Sequence, residues 1–185
     1  MNLYISASNR KHNSYNLLNK LKNKNDIFLS LADLDIKYCI GCNACQKNQG
    51  NQCVLKDDMN QIYDAIGKCD NIIIMSPIYM NQITGILKNV FDRFNPYCAS
   101  ENLKGKKIFL ITVGQMSEEE QQEICDSIDN WFKSISEFLY FDFEYLYNFT
   151  SGDILEIDSI EKMYKESQLD SIIENVKNKI KVIDN

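Results

Sequence analysis

Short apolar runs alternate along the chain with longer stretches whose apolar residues fall at helical spacing. Asn2 to Ser6 predicts a first strand that runs into a polar loop. Leu17, Leu18 and Leu21 then follow at helical spacing behind Ser14, a residue type that favours helix starts. Ile27 to Leu31 predicts a second strand, and a cysteine-rich loop spans 39–53. Asp57 and Asp58 precede a helical face of Met59, Ile62, Tyr63 and Ile66. Asn71 to Met75 is continuously apolar, as a central strand covered on both faces would be, and it ends at Ser76-Pro77. Thr84 opens a helix marked by Leu87, Val90, Phe91 and Phe94, and Ile108 to Val113 predicts a fourth strand ending at Gly114. Ser117 and Glu120 form a capping box ahead of Ile124, Ile128, Trp131, Phe132, Ile135, Phe138 and Leu139 on one face. Phe141 to Phe149 predicts a fifth strand, and Leu169 to Ile180 lies within a C-terminal amphipathic helix over about 159–181.

Strands interleaved with helices in this way predict an α/β fold, a doubly wound parallel sheet with helices on both faces. No repeat or low-complexity linker interrupts it, so 1–185 reads as one domain. Ligands of such sheets sit outside the carboxyl ends of the strands, where strand order reverses. That places three loops at the site: Ser6 to Ser14, Ser76 to Asn81, and Val113 to Met116.

Composition narrows the chemistry. The net charge of −6 argues against nucleic-acid or anionic-membrane partners, which need a basic face. The opening residues do not read as an export leader, and no apolar stretch nears the ~20 residues of a membrane span. A cytoplasmic setting is therefore expected, in which the seven cysteines are thiols or ligands rather than disulfides. A lone histidine, His12, rules out a Cys/His or Ser/His/Asp pairing built on a second one and disfavours hydrolysis.

The first of the three loops, Ser6 to Asn16, gathers hydroxyls, amides and Arg10 just before a helix start. Free N–H groups and the helix dipole favour an anion there, and a guanidinium can fork onto phosphate oxygens. The dinucleotide G-x-G-x-x-G and the nucleotide-hydrolase G-x-x-x-x-G-K-[ST] patterns are both missing, which points to a monophosphate. Ser8-x-Arg10 followed by Ser14-x-Asn16 resembles the FMN phosphate loop of NAD(P)H-dependent FMN reductases, with Ala7 where that family usually has glycine. Ser76-Pro77-Ile78-Tyr79-Met80, then Gly85-x-Leu87-Lys88 and Phe91-Asp92-Arg93, is similar to the family's flavin-edge loop and the helix after it. The resemblance implies a flavodoxin-like five-stranded sheet of order 2-1-3-4-5. It implies Pro77 and Tyr79 against the isoalloxazine, backbone N–H groups of Tyr79 to Asn81 at its pyrimidine, and Gly114 nearby. On their own terms, Tyr79 reads as a half-buried loop aromatic and Arg93 as a surface ion pair with Asp92.

Cys39-x2-Cys42-x2-Cys45-x7-Cys53 is the sharpest chemical signal in the chain. Its compactness suits a [4Fe–4S] cluster better than zinc, whose four-cysteine sites generally use two separated C-x2-C arms. Unligated redox-active thiols are the third possibility. The run, with Cys53-Val54 and Asp57-Asp58-Met59 after it, resembles the iron–sulfur flavoproteins of anaerobes, a branch of the same fold family. Cys69, Cys98 and Cys125 stand alone and read as buried or incidental thiols.

The resemblance thus implies an oxidoreductase that moves electrons from NAD(P)H through FMN to a small-molecule or protein acceptor, with self-association into a homo-oligomer. The rival from another class is a non-enzymatic, flavodoxin-like electron carrier. Flavodoxins carry a T-x-T-G-x-T type phosphate loop, which this chain lacks. A module that has lost its flavin is a third reading, to which only Ala7 points.

Overall fold

The computed structural model describes residues 1–48, 52–150 and 166–182. Five parallel strands, β1 (Asn2–Ser6), β2 (Ile27–Ser30), β3 (Asn71–Tyr79), β4 (Lys107–Gly114) and β5 (Asp142–Thr150), lie in the order 2-1-3-4-5. A two-residue strand, Gln82–Ile83, folds back antiparallel onto the end of β3. Each strand falls where the apolar runs predict it, to within a few residues at the ends.

Side chains alternate across a strand, so each central strand feeds two cores. Leu3, Ile5, Ile72, Ile74, Ile108 and Leu110 pack on one face, beneath helices α2 (Met59–Lys68), α3 (Gly85–Asp92) and α4 (Glu118–Leu139). Tyr4, Ile73, Met75, Phe109, Ile111 and Val113 pack on the other, beneath α1 (Asn13–Leu21) and α5 (Glu166–Val182). At about 1.5–3 kcal/mol per fully buried aliphatic or aromatic side chain, this double burial is what commits the sheet to the interior. Between Leu110 and Ile111 the register with β5 shifts, so that Tyr145 serves the first core while Leu146 and Tyr147 serve the second.

Helix starts follow local chemistry. Thr84 caps α3 by accepting from Leu87 N, and Ser117 with Glu120 forms the capping box of α4. Three details differ from the sequence reading. Helix α1 starts at Asn13 behind His12, so Ser14 is its second residue and cannot cap it. Phe138, expected on the buried face of α4, is 64% exposed although Leu139 beside it is buried, because at about 100° per residue the helix turns Phe138 off the face that Ile128, Phe132 and Leu139 present. The described part of the C-terminal helix is Glu166–Val182, and residues 159–165 of the expected span lie outside the described residues.

Arg93 is the third difference. Its side chain is 1% exposed and pairs with the fully buried carboxylate of Asp57, while Asp92 pairs with Lys88 one helical turn back. Nη1 donates to Asp57 Oδ2 at 2.6 Å and to the Lys37 carbonyl at 2.7 Å, and Nη2 donates to Asp57 Oδ1 at 3.1 Å. The same carboxylate accepts from Lys37 N at 2.9 Å and Met59 N at 3.1 Å. Nearby, Asp35 N donates to Asp58 Oδ2, Asp58 N donates to the Asp35 carbonyl, and Asn89 Nδ2 donates to the Ile36 carbonyl. Both mouths of the cysteine-bearing loop, 35–37 and 57–58, are thereby fastened to each other and to the end of α3.

Burial alone would push the Asp57 carboxyl up, but Arg93 and the two backbone donors outweigh it and hold it below the usual carboxylate range. Asp57→Ala strands a buried guanidinium and should cost about 3–5 kcal/mol in urea unfolding, with Asp57→Ala/Arg93→Leu recovering most of the loss. A group whose folded value is depressed contributes stability above its unfolded value, here about 3.9, and loses it as pH falls through the folded value. The stability gap between wild type and Asp57→Ala should therefore be full near neutral pH and shrink in acid. A gap independent of pH would show that the carboxylate charge is not what the clamp uses.

Candidate functional site

Strand order reverses between β1 and β3, and at the carboxyl ends of those strands and of β4 the three expected loops meet around one cleft of about 510 Å³. That size falls within the range of small-molecule sites. Ser8, Arg10, His12, Asn13 and Ser14 line one side, Pro77, Ile78, Tyr79 and Met80 a second, and Val113, Gly114 and Gln115 the floor. Eight residues expected at the cofactor therefore share one surface: Ser8, Arg10, Ser14, Pro77, Ile78, Tyr79, Met80 and Gly114.

Three others stand apart. Ser76 is fully buried beneath the cleft, where its hydroxyl donates to the Pro77 carbonyl and accepts from Thr84 N. Asn16 is exposed on the first turn of α1, and Asn81 is exposed at the tip of the hairpin that follows β3; neither lines the cleft. Ala7 fills its position with no left-handed backbone, its N–H bonded to the Met75 carbonyl and its carbonyl to Thr84 Oγ1. The site thus has no need of a glycine there.

The start of α1 is chemically open. Among the described residues no side chain caps it and no acidic residue occupies its first turn. The Ser14 hydroxyl is buried and has no partner among the described residues. An unpaired buried hydroxyl is costly, so its place at a helix start beside Arg10 suits an anion that would satisfy it. Ser8 Oγ accepts from Arg10 N at 3.1 Å and so shapes the turn that presents Arg10. Opposite, Met80 and Asn81 both have left-handed backbone, the geometry of a two-residue hairpin, with Met80 96% exposed at its tip. On the floor, a Cβ at Gly114 would stand 2.9 Å from Met116 Cε and 3.2 Å from Ile78 Cβ, so a side chain there would have to push Met116 aside and crowd Ile78.

Cys39, Cys42, Cys45 and Cys53 line one small apolar pocket of about 20 Å³ with Ile40, Val54, Leu55 and Pro96. Gly41 and Asn43, both left-handed, turn the chain between successive cysteines and bring the thiols back to one side. Cys45 is buried on the short turn Ala44–Lys47, Cys53 is half-buried, and Cys39 and Cys42 are exposed. Burial first, then the neighbouring Cys53 and Cys39, pushes the Cys45 thiol up, while Asn95 Nδ2 donates to its sulfur at 3.3 Å. The four sulfurs do not converge on one point: among the described residues no group of His, Cys, Asp or Glu is arranged to hold a metal ion. The donor set nevertheless fits a thiolate-bound cluster, being four thiols from one loop in one apolar pocket.

Helix α3, about 12 Å long at 1.5 Å per residue, starts behind the hairpin of Met80 and Asn81 and ends at this cysteine pocket. A wider groove of about 670 Å³ lies beyond Cys53, but polar groups along it are already engaged, Lys106 Nζ with the Cys69 carbonyl and Tyr63 OH with the Arg93 carbonyl. Asp57, Arg93 and Asn95 as supports of the cysteine loop escape sequence reading, because periodicity carries no record of which distant segments a polar side chain will join.

An iron-sulfur flavoprotein of Methanocaldococcus jannaschii is 34% identical over 105 residues, 57% of this chain and 53% of that protein. One from Archaeoglobus fulgidus is 37% identical over 98 residues, 49% of this chain and 47% of its own. The chain thus spans about half the length of the curated relatives it matches. Among solved structures, an FMN-dependent NADH-azoreductase from Bacillus anthracis in complex with FMN superposes with a TM-score of 0.60 at 14% identity, covering 100% of this chain and 99% of that one. The Trp repressor binding protein from Bacillus subtilis gives 0.63 at 17% identity, covering 94% and 98%. These two show the fold, which is flavodoxin-like. The sequence profile of NADPH-dependent FMN reductases matches residues 2–131, well over half the chain, and the protein belongs to that family.

Proposed function

We propose that the protein is an oxidoreductase that holds FMN in the cleft between β1, β3 and β4 and passes electrons from NADH or NADPH to an acceptor by way of a [4Fe–4S] cluster on Cys39, Cys42, Cys45 and Cys53. The observation that carries the flavin reading is the open start of α1, with the unpartnered Ser14 hydroxyl and Arg10 on the same wall of the cleft. When bound, FMN supplies the hydride and electron chemistry, which the side chains of this site lack. Arg10 and Ser14 would grip the phosphate and Ser8 would shape the turn that presents Arg10. Asn16, exposed on the first turn of α1 and outside the cleft lining, would reach the same group only from its outer side. Pro77, Ile78 and Tyr79 would cover one edge of the ring, and the backbone of Tyr79 to Asn81 would meet its polar end. Ser76 supports that hairpin from below, and Gly114 keeps the floor thin. The family match and the iron-sulfur flavoprotein relatives support this reading, and the four-thiol loop supports the cluster.

Removing the Arg10 guanidinium deletes a charge-assisted contact worth about 1.5–3 kcal/mol, so Arg10→Ala should weaken FMN binding roughly ten- to hundredfold in a fluorescence titration. Ser14→Ala discriminates further. It removes a hydroxyl that has no partner without ligand, so the flavin-free protein should be as stable as wild type or slightly more so, while FMN affinity falls. Equal FMN affinity in both variants would place the phosphate elsewhere.

For the cluster, iron and acid-labile sulfide are assayed after anaerobic reconstitution. Wild type should carry about four of each per chain and Cys42→Ser markedly fewer. Wild type without iron, or a variant that keeps all of it, would leave an FMN protein with free thiols.

A further inference from the structure

Among the described residues, Cys45 is the buried member of the four-thiol set, and Asn95 Nδ2 donates to its sulfur at 3.3 Å across fifty positions of sequence. An amide side chain can present either its N–H2 or its carbonyl to a neighbour, so what fixes its orientation matters. Here Gln46 fixes it. Gln46 Nε2 donates to Asn95 Oδ1 at 3.3 Å and also to the Asn95 carbonyl, which leaves Nδ2 as the end that faces Cys45. Gln46 directly follows Cys45, so the cysteine loop orients the donor that serves its own thiol. The backbone of Asn95 is restricted as well, since Pro96 follows it, and it stands two residues beyond the clamped Arg93.

We propose that Asn95 tunes the metal centre of this loop by an N–H···S bond to Cys45, with Gln46 as the residue that aims it. The inference rests on the cluster reading above. A sulfur that accepts a hydrogen bond donates less charge to the metal. One-electron reduction adds negative charge to the centre with no proton required, so the donor favours the reduced form and raises the reduction potential. Neither residue touches the FMN cleft, so the effect is confined to the cysteine loop.

The test compares wild type, Asn95→Ala, Asn95→Asp and Gln46→Ala as reconstituted holoproteins, each assayed for iron and titrated anaerobically with dithionite and mediators. At equal iron content, Asn95→Ala should lower the reduced-to-oxidised ratio at fixed potential about tenfold, which is 59 mV for a one-electron couple. Asn95→Asp keeps the shape but puts an acceptor and a negative charge at the sulfur, and should lower the ratio further. Gln46→Ala leaves the donor free to turn and should fall between wild type and Asn95→Ala. Unchanged potentials in both Asn95 variants would overturn the proposal, as would an Asn95→Ala protein that loses its iron, since the residue would then be merely structural.

Loading the same metal-free proteins with Co²⁺ gives a readout independent of iron–sulfur assembly. Loss of the N–H···S bond raises the sulfur lone pair, so the thiolate-to-cobalt charge-transfer band of Asn95→Ala should move to longer wavelength. A band at the wild-type position would count against the proposal even if the cluster is absent. Iron missing from wild type would sink the cluster reading alone.

Discussion

The buried pair of Arg93 and Asp57 is the constraint on which the arrangement of the cysteine loop depends. Taking two charges out of water is expensive, and the expense is offset only when nearly every polar atom finds a partner. Asp57 meets that condition: each of its oxygens accepts one bond from the guanidinium and one from the backbone. Arg93 meets it at both terminal nitrogens, while its Nε has no partner among the described residues. A pair of this kind contributes less to net stability than to specificity, because few other arrangements satisfy both ions. It joins three segments, around Lys37, Asp57 and Arg93, that the strands alone do not bring together. The loop needs such help, since Tyr38, Ile40 and Val54 are 79%, 68% and 48% exposed and give it little apolar grip of its own.

From that anchor the two candidate centres fall into place at opposite ends of one helix. The sheet delivers β1, β3 and β4 to a common crevice, and the hairpin of Met80 and Asn81 leads directly into α3. Eight residues later the same helix ends at Arg93, then at Asn95 and Pro96 beside the thiols. One helix thus spans the distance between the cleft and the cysteine pocket. The wall of the cleft at α1 is built differently, with the unpartnered Ser14 hydroxyl and the bare start of α1, features that have a cost on their own and a use when an anion is present.

Much of this was legible in the sequence. The apolar runs at Asn71 to Met75 and Ile108 to Val113 marked the buried strands because a strand covered on both faces has no polar side to alternate with. The polar loops after β1, β3 and β4 followed from where parallel strands end, and Ser8, Arg10 and Ser14 stood in one of them. Ser14 itself was misplaced by two residues, since the helix starts at Asn13 behind His12 and cap preference says which residue suits a helix start, not where packing begins the helix. Arg93 was misread as a surface partner of Asp92 because sequence shows neighbours along the chain, whereas a bulky cation at a helix end can turn inward once a buried carboxylate awaits it. Asn95 left no signal at all. A single polar residue after a helix carries no period, and its contact with Cys45 exists only after the loop has been folded back.

The most direct test of the account is anaerobic titration of the FMN-loaded protein with NADH and, separately, NADPH, followed at the flavin absorption band. The account predicts that at least one of the two bleaches the band near stoichiometrically without any added protein. A band that resists both nucleotides yet bleaches with a reduced protein such as ferredoxin would contradict it, and would make the molecule a carrier.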